Sequence, residues 1–139
     1  VVSDGFTRRS VLCAAVVGGL LTACGTSSAP KRVGGVGSAK AGDRLAASAD
    51  VPAGGGVLVE TPGNGQLLLV RGTEGQVRAF NPTCPHQGTT VEPPLAGVIT
   101  CPTHHSTFDP ATGAVRTGPS TKGLTEIPIS VSGDAVLLA

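Results

Sequence analysis

Gly and Pro interrupt this chain so often that few regular elements longer than a handful of residues can form. Of its 139 residues 21 are Gly and 11 are Pro. In a helix interior Gly costs about 1 kcal/mol and Pro about 3 kcal/mol relative to Ala. That density argues against a helical bundle and favours short strands joined by many turns. From residue 51 on the pattern is of that kind. Val57-Leu58-Val59, Leu67-Leu68-Leu69-Val70 and Val77-Arg78-Ala79-Phe80 are separated by Pro62-Gly63-Asn64-Gly65 and Gly72-Thr73-Glu74-Gly75, which predicts strands joined by tight hairpins. Gly97 to Thr100 is a further run, and Ile127, Ile129 and Val131 alternate with Glu126, Pro128 and Ser130. That alternation predicts a half-buried strand, with Pro128 at an edge or beside a bulge. Gly133-Asp134 then turns the chain into Ala135-Val136-Leu137-Leu138. The expected class is all-β, in a head of about 90 residues, near the size at which a cross-link or metal helps to secure a fold.

Charge and aromatic content exclude one broad class. Charged residues are 14% of the chain, the formal net charge is +1, and three Phe are the only aromatics of the Phe, Trp and Tyr group. There is no basic field and no stacking platform for nucleic acid. From residue 51 on, four Lys/Arg stand against six Asp/Glu.

The first 24 residues form a different region. Thr7-Arg8-Arg9-Ser10-Val11-Leu12 is a twin-arginine pattern, followed by an uncharged stretch from Ser10 to Ala23. That stretch is shorter than the roughly 20 apolar residues of a membrane span and suits a signal-peptide core. Leu21-Thr22-Ala23-Cys24 resembles a bacterial lipoprotein processing box, which implies cleavage after Ala23 and a lipid on Cys24; an uncleaved signal anchor is the other reading. The twin-arginine route moves folded proteins, so the leader suits a cofactor inserted before export. The expected location is the outer face of the cytoplasmic membrane. From Gly25 to about Asp50 the composition turns to Ser, Gly, Ala and scattered charge, including Lys31, Arg32 and Lys40. This predicts a flexible tether over 24–43, with a reach of about 25 Å if 25–42 is coil, and a domain over 44–139.

Cysteine and histidine carry the chemistry. Cys13 and Cys24 belong to the leader, leaving Cys84-Pro85-His86-Gln87-Gly88 and Cys101-Pro102-Thr103-His104-His105-Ser106, with 14 residues between His86 and Cys101. Two thiolates and two imidazoles can hold one tetrahedral zinc or a two-iron cluster with one Cys pair and one His pair. A Cys84–Cys101 disulfide is the remaining reading. Zinc sites usually group Cys with Cys and His with His, whereas here each loop alternates the two. The spacing therefore favours a 2Fe-2S cluster clamped between two loops. Pro85 and Pro102 stiffen those loops at matched positions, and Gly88 permits close backbone approach.

On both ligand loops, together with Phe108-Asp109, Thr112-Gly113 and Gly118-Pro119, the chain resembles the Rieske iron–sulfur family over about residues 44–139. With the leader, it is most similar to small exported bacterial Rieske lipoproteins. The resemblance implies a fold of small antiparallel sheets with two cluster-binding loops at one tip. It implies that Cys84 and Cys101 hold a buried iron and that His86 and His104 hold an outer one. It also implies that Gly118-Pro119-Ser120 covers the cluster from a third side. A cluster with neutral imidazoles carries less negative charge than a four-Cys cluster, which raises the potential to about −150 to +300 mV. Electron uptake can be linked to proton uptake at the imidazole N–H, and an exposed His edge suits a quinol or a redox protein.

The family pattern breaks in three places. Thr89 and Thr103 stand where high-potential members carry a disulfide joining the loops. Ser106 matches a serine that donates to a bridging sulfide, but Phe108 replaces a tyrosine that donates to a ligand thiolate. Hydrogen bonds to sulfur favour the reduced state, so the expected potential lies below the high-potential class. His105 stands where the family has Gly. It reads as an exposed loop imidazole, with a replacement ligand for His104 or an added proton acceptor as sharper alternatives.

No nucleotide motif, acid/base pair or nucleophile constellation is evident; Asp109 reads as a turn residue and Glu92 as a solvated one. The expected function is a membrane-tethered one-electron carrier between a redox donor and acceptor, proteins or quinol. The alternatives are the Rieske subunit of a cytochrome bc-type complex, a redox subunit or ferredoxin serving an exported oxidase or an oxygenase, and a non-redox zinc module.

Overall fold

The computed structural model describes residues 31–139; the leader expected over 1–23 and Cys24 lie outside them. The described residues form twelve short strands and one short 3-10 turn, Ser48–Asp50, and no α-helix. Three small sheets are stacked, as an all-β reading requires. Among the described residues no helix is long and apolar enough to cross a membrane.

The central sheet contains β1 (Val33–Gly34), β3 (Gly56–Thr61), β4 (Gly65–Arg71), β5 (Val77–Phe80) and β10 (Glu126–Ile127). Strand β4 pairs antiparallel with β3 along its length, Gly56↔Val70 to Thr61↔Gly65, and with β5 from Leu68↔Phe80 to Arg71↔Val77. The apolar run Leu67–Val70 is fully buried because both faces of β4 are covered. Leu68 and Val70 enter one core with Phe80, Val91, Ile99, Phe108 and Leu124. Leu69 enters a second core on the opposite face, with Val51, Val77, Ala79 and Val136.

Each core is closed by one of the other sheets. The second core lies under β2 (Arg44–Ala47), β11 (Ile129–Ser132) and β12 (Ala135–Leu138), an antiparallel sheet with β12 in the middle. The first lies under β6 (Glu92–Leu95), β7 (Val98–Thr100), β8 (Thr107–Phe108) and β9 (Val115–Thr117), paired antiparallel in chain order. Strand β6 contains Pro93 and Pro94 and takes an edge of that sheet, where a missing N–H costs least.

Two expectations need correction. The tether expected to be flexible over 24–43 is, in its described part, folded onto the head. Strand β1 pairs parallel with β4 at Val33↔Gly65 and Gly34↔Gln66, and the Gly42 N–H donates to the Leu138 carbonyl at 2.7 Å. The cause is an open edge: β5 covers β4 only from Leu68, so Gly65 and Gln66 need partners for their backbone groups. The single strand expected over Ile127–Val131 is two strands. Pro128 separates β10, which pairs with β5, from β11, which pairs with β12, so the chain changes sheets at the residue that lacks an N–H.

Candidate metal centre

The first ligand loop joins β5 of the central sheet to β6 of the third, and the second joins β7 to β8 within the third sheet. The two loops have the same hydrogen-bond plan. In the first, the Cys84 N–H donates to the Thr89 carbonyl (2.7 Å) and the Gly88 N–H returns to the Cys84 carbonyl (2.9 Å). In the second, the Cys101 N–H donates to the Ser106 carbonyl (2.8 Å) and the His105 N–H returns to the Cys101 carbonyl (3.0 Å). Each return is made by a residue in the left-handed region, Gly88 at φ 74° and His105 at φ 62°. His105 is thus the counterpart of Gly88 in a repeated turn. Its exposed side chain sits on a backbone position that favours Gly.

The turns sort the four candidate ligands by depth. Cys84 and Cys101 are 1% and 2% exposed and pack in the first core with Phe108 and Ile99. His86 and His104 are exposed, and their rings meet edge to face at a centroid distance of 4.9 Å and an interplanar angle of 84°. Both thiols are free. Burial pushes the Cys84 thiol up from its ordinary pKa, opposed by the N–H groups of His86 and Gln87 donating to its sulfur, with the Cys101 thiol beside it adding to the rise. A metal-ligating thiol must be deprotonated, so metal binding at Cys84 would release a proton. The backbone donors already aimed at that sulfur suit a thiolate carrying metal.

The donor set fits two irons better than one zinc. A closed Cys2His2 zinc site would draw all four donors onto a single ion. The arrangement is instead a buried sulfur pair and an outer imidazole pair on facing loops, which matches the ligand division of a Rieske 2Fe-2S centre.

Hydroxyls tie the loops together. Thr89 Oγ1 and Thr103 Oγ1 are hydrogen-bonded at 2.8 Å, at the two positions where a disulfide was expected to be missing. Ser106 is fully buried, and its Oγ accepts the Ser120 N–H at 2.9 Å. This leaves the Ser106 proton to donate elsewhere. Ser120 Oγ donates to the Lys122 carbonyl at 2.8 Å, fixing the segment that follows β9. Gly118 and Pro119 lie exposed in that segment, next to the residue bonded to the second loop.

Asp109 is the turn residue its position suggested. Its carboxylate accepts the Ala111 and Thr112 N–H groups and an Arg116 guanidinium N–H at 2.6 Å. The Arg116 bond, more than the backbone donors, holds its carboxyl below the ordinary carboxylate range. Sequence reasoning missed the repeated turn and the Ser106–Ser120 link. Superposing Cys84 on Cys101 in the sequence places Gly88 over His105 and Thr89 over Ser106, and that alignment carries the missing signal.

Comparison with known proteins agrees with this geometry. A protein of Haloferax mediterranei named as a Rieske subunit of a respiratory nitrate reductase is 39% identical over 62 residues, 44% of this chain and 28% of that protein. The chain therefore spans less than a third of that curated relative. The cyanobacterial plasma membrane Rieske protein from Synechocystis PCC 6803 superposes with a TM-score of 0.60 at 34% identity, covering 70% of this chain and 98% of that one. The ferredoxin of Sphingomonas yanoikuyae B1 superposes with a TM-score of 0.60 at 25% identity, covering 70% and 96%. Residues 43–128 match the Rieske [2Fe-2S] domain, and with two loops that pair buried Cys and outer His, this chain belongs to that family of electron carriers.

Proposed function

We propose that this protein is a one-electron carrier tethered to the outer face of the cytoplasmic membrane, passing electrons between redox proteins or from quinol. The observation that carries the redox part is the depth sorting of its ligands, buried Cys84 and Cys101 against solvent-facing His86 and His104. Cys84 and Cys101 would hold the inner iron and His86 and His104 the outer one. When bound, a Rieske cluster accepts and returns a single electron in about the −150 to +300 mV range.

The chain's own residues do the rest. Packing of the two Cys against Phe108, Ile99 and Val91 keeps water from the inner side. The exposed imidazole edges give a partner its shortest approach. Ser106, held by the Ser120 N–H, would give its remaining proton to a cluster sulfide, and Gly118 and Pro119 would cover the third side. The tether reading is supported by Arg8-Arg9, the uncharged stretch after them and the box ending at Cys24.

A second reading is favoured by the similarity to the nitrate reductase Rieske subunit. In it this chain is the redox subunit of a larger exported oxidoreductase, whose catalytic site lies on another chain. Low-temperature EPR of the dithionite-reduced full chain, with a redox titration, tests the cluster. The expected result is a signal of mixed Cys/His ligation, abolished by His104→Ala and retained in His105→Gly. A colourless, iron-free protein or a four-Cys-type signal would overturn the reading. Mass spectrometry of membrane-extracted protein tests Cys24 lipidation separately, and purification of native membranes shows whether the chain travels alone or with partners.

A further inference from the structure

The segment Lys31–Ser38 is bound to the head by its backbone. The Asn64 side-chain amide donates to the Lys31 carbonyl at 2.8 Å, and the Val33 N–H donates to the Asn64 carbonyl at 3.0 Å. Gly35 and Gln66 exchange both backbone hydrogen bonds, at 2.8 and 3.0 Å, and the Ser38 N–H donates to the Pro62 carbonyl at 2.7 Å. Arg32 pairs with Glu60. Burial contributes little, since Val33 is 66% exposed. This strap runs along the edge of β4 where the chain leaves β5 for the first ligand loop.

The two ligand loops differ in how their bases are held. The second is a hairpin loop closed by the Thr100↔Thr107 pair of β7 and β8. The first crosses from one sheet to another, and its base carries only the isolated Thr83↔Thr90 bridge. The strap lies against that weaker base. A Cβ added at Gly34 would overlap the Thr83 hydroxyl and the Asn81 amide oxygen. Asn81 Oδ1 in turn accepts the Thr83 N–H at 3.0 Å, and Thr83 is the residue before Cys84. Beyond this contact a cavity of about 320 Å³ opens, between Arg32 and Gly34 on the strap and Thr83, Gly88 and Thr90 on the loop. The strap therefore meets the loop through Gly34, Asn81 and Thr83.

We propose that the strap is a positioning element for the redox centre: Gly34, acting through Asn81 and Thr83, sets the base from which Cys84 and His86 are presented. The inference rests on the ligand assignment above. It gives the residues next to the tether a role in the electron-transfer site, because whatever shifts β1 shifts the residue before a ligand.

The test uses the full chain loaded with its cluster and reads two quantities, the EPR g-values of the reduced state and the half-life of the cluster in excess chelator. Gly34→Ala is expected to move the g-values and shorten the half-life at least about tenfold, as loss of an outer-shell support does. Gly72→Ala is the control, since its Cβ would meet nothing closer than the Gln76 carbonyl at 3.7 Å; it should match the wild type. Combining Gly34→Ala with Thr83→Ala should recover part of the half-life, because the overlap with the hydroxyl is gone. Asn64→Gly frees the start of the strap without adding an atom, and it should shorten the half-life even if Gly34→Ala does not fold. Lower thermal stability with wild-type g-values and half-life in Gly34→Ala, or a wild-type half-life in Asn64→Gly, would overturn the positioning role. A wild-type chain without a mixed-ligand signal would overturn the ligand assignment first and this inference with it.

Discussion

Replacing His105 by Gly should stabilise the protein and leave its cluster intact. His105 makes the same return hydrogen bond to a ligand Cys carbonyl that Gly88 makes, with φ at 62° against 74°. A left-handed backbone costs an L-residue about 1–2 kcal/mol, toward the lower end for His, which tolerates that region better than most. Gly removes this cost but returns about 0.4–1 kcal/mol of freedom to the unfolded chain. The net gain is about 0.5 kcal/mol, which for a small domain raises the melting temperature by roughly 2–4 °C. Gly88→Ala is the mirror experiment. Its Cβ would meet only Thr83 Cγ2, at 4.0 Å, so it reads the backbone cost without a clash and should lower the melting temperature by a similar amount. Melting is followed by cluster absorbance and circular dichroism at one scan rate, because loss of a cofactor makes the transition rate-dependent. Loss of the cluster in His105→Gly would refute the reasoning, since it would make His105 a ligand. A lower melting temperature in that variant, or no change in Gly88→Ala, would refute the shared-turn argument.

Three further outcomes follow from the site. Thr89→Cys with Thr103→Cys should form a disulfide under mild oxidation, since the two hydroxyl oxygens are already 2.8 Å apart. Closing a loop of about this length is worth up to about 3 kcal/mol, read as a higher melting temperature and a mass loss of two hydrogens. Phe108→Tyr should raise the midpoint potential if the new hydroxyl reaches a ligand sulfur; about 1 kcal/mol in favour of the reduced state corresponds to ~40 mV for one electron, and an unchanged or lower midpoint counts against it. Arg116→Ala should lower stability at neutral pH through Asp109, whose carboxyl is held low mainly by that guanidinium. The paired carboxylate stabilises the fold above the ordinary carboxylate range, and the contribution is lost as pH falls through its depressed folded value. Melting temperatures from pH 7 down to 2 should therefore fall less steeply on the acid side in the variant than in the wild type.

What the sequence showed and what it hid divide along one physical line. Side-chain chemistry was legible: the apolar runs Leu67–Val70 and Val77–Phe80 between Gly-rich turns became β4 and β5, and the two Cys/His strings became the metal centre. Backbone chemistry was not. Lys31–Ser38 has no apolar period because it contributes N–H and C=O groups rather than side chains, so it reads as coil. It is ordered only because Gly65 and Gln66, more than 25 residues away, are left unpaired by a short β5. Pro128 gave the same difficulty. Ile127 and Ile129 both pack against the second core although the chain changes sheets between them, and Val131, which continues the alternation, is exposed, since alternation of residue types does not record which neighbour supplies the hydrogen bonds. His105 lies between the two cases. Its side chain drew attention as a possible ligand, while the property that places it is the φ it shares with Gly88. In a head made of two- to seven-residue strands, backbone pairing decides where the ligand loops sit, and the residues that control it are those a side-chain reading passes over, Gly34 and Gly88 first among them.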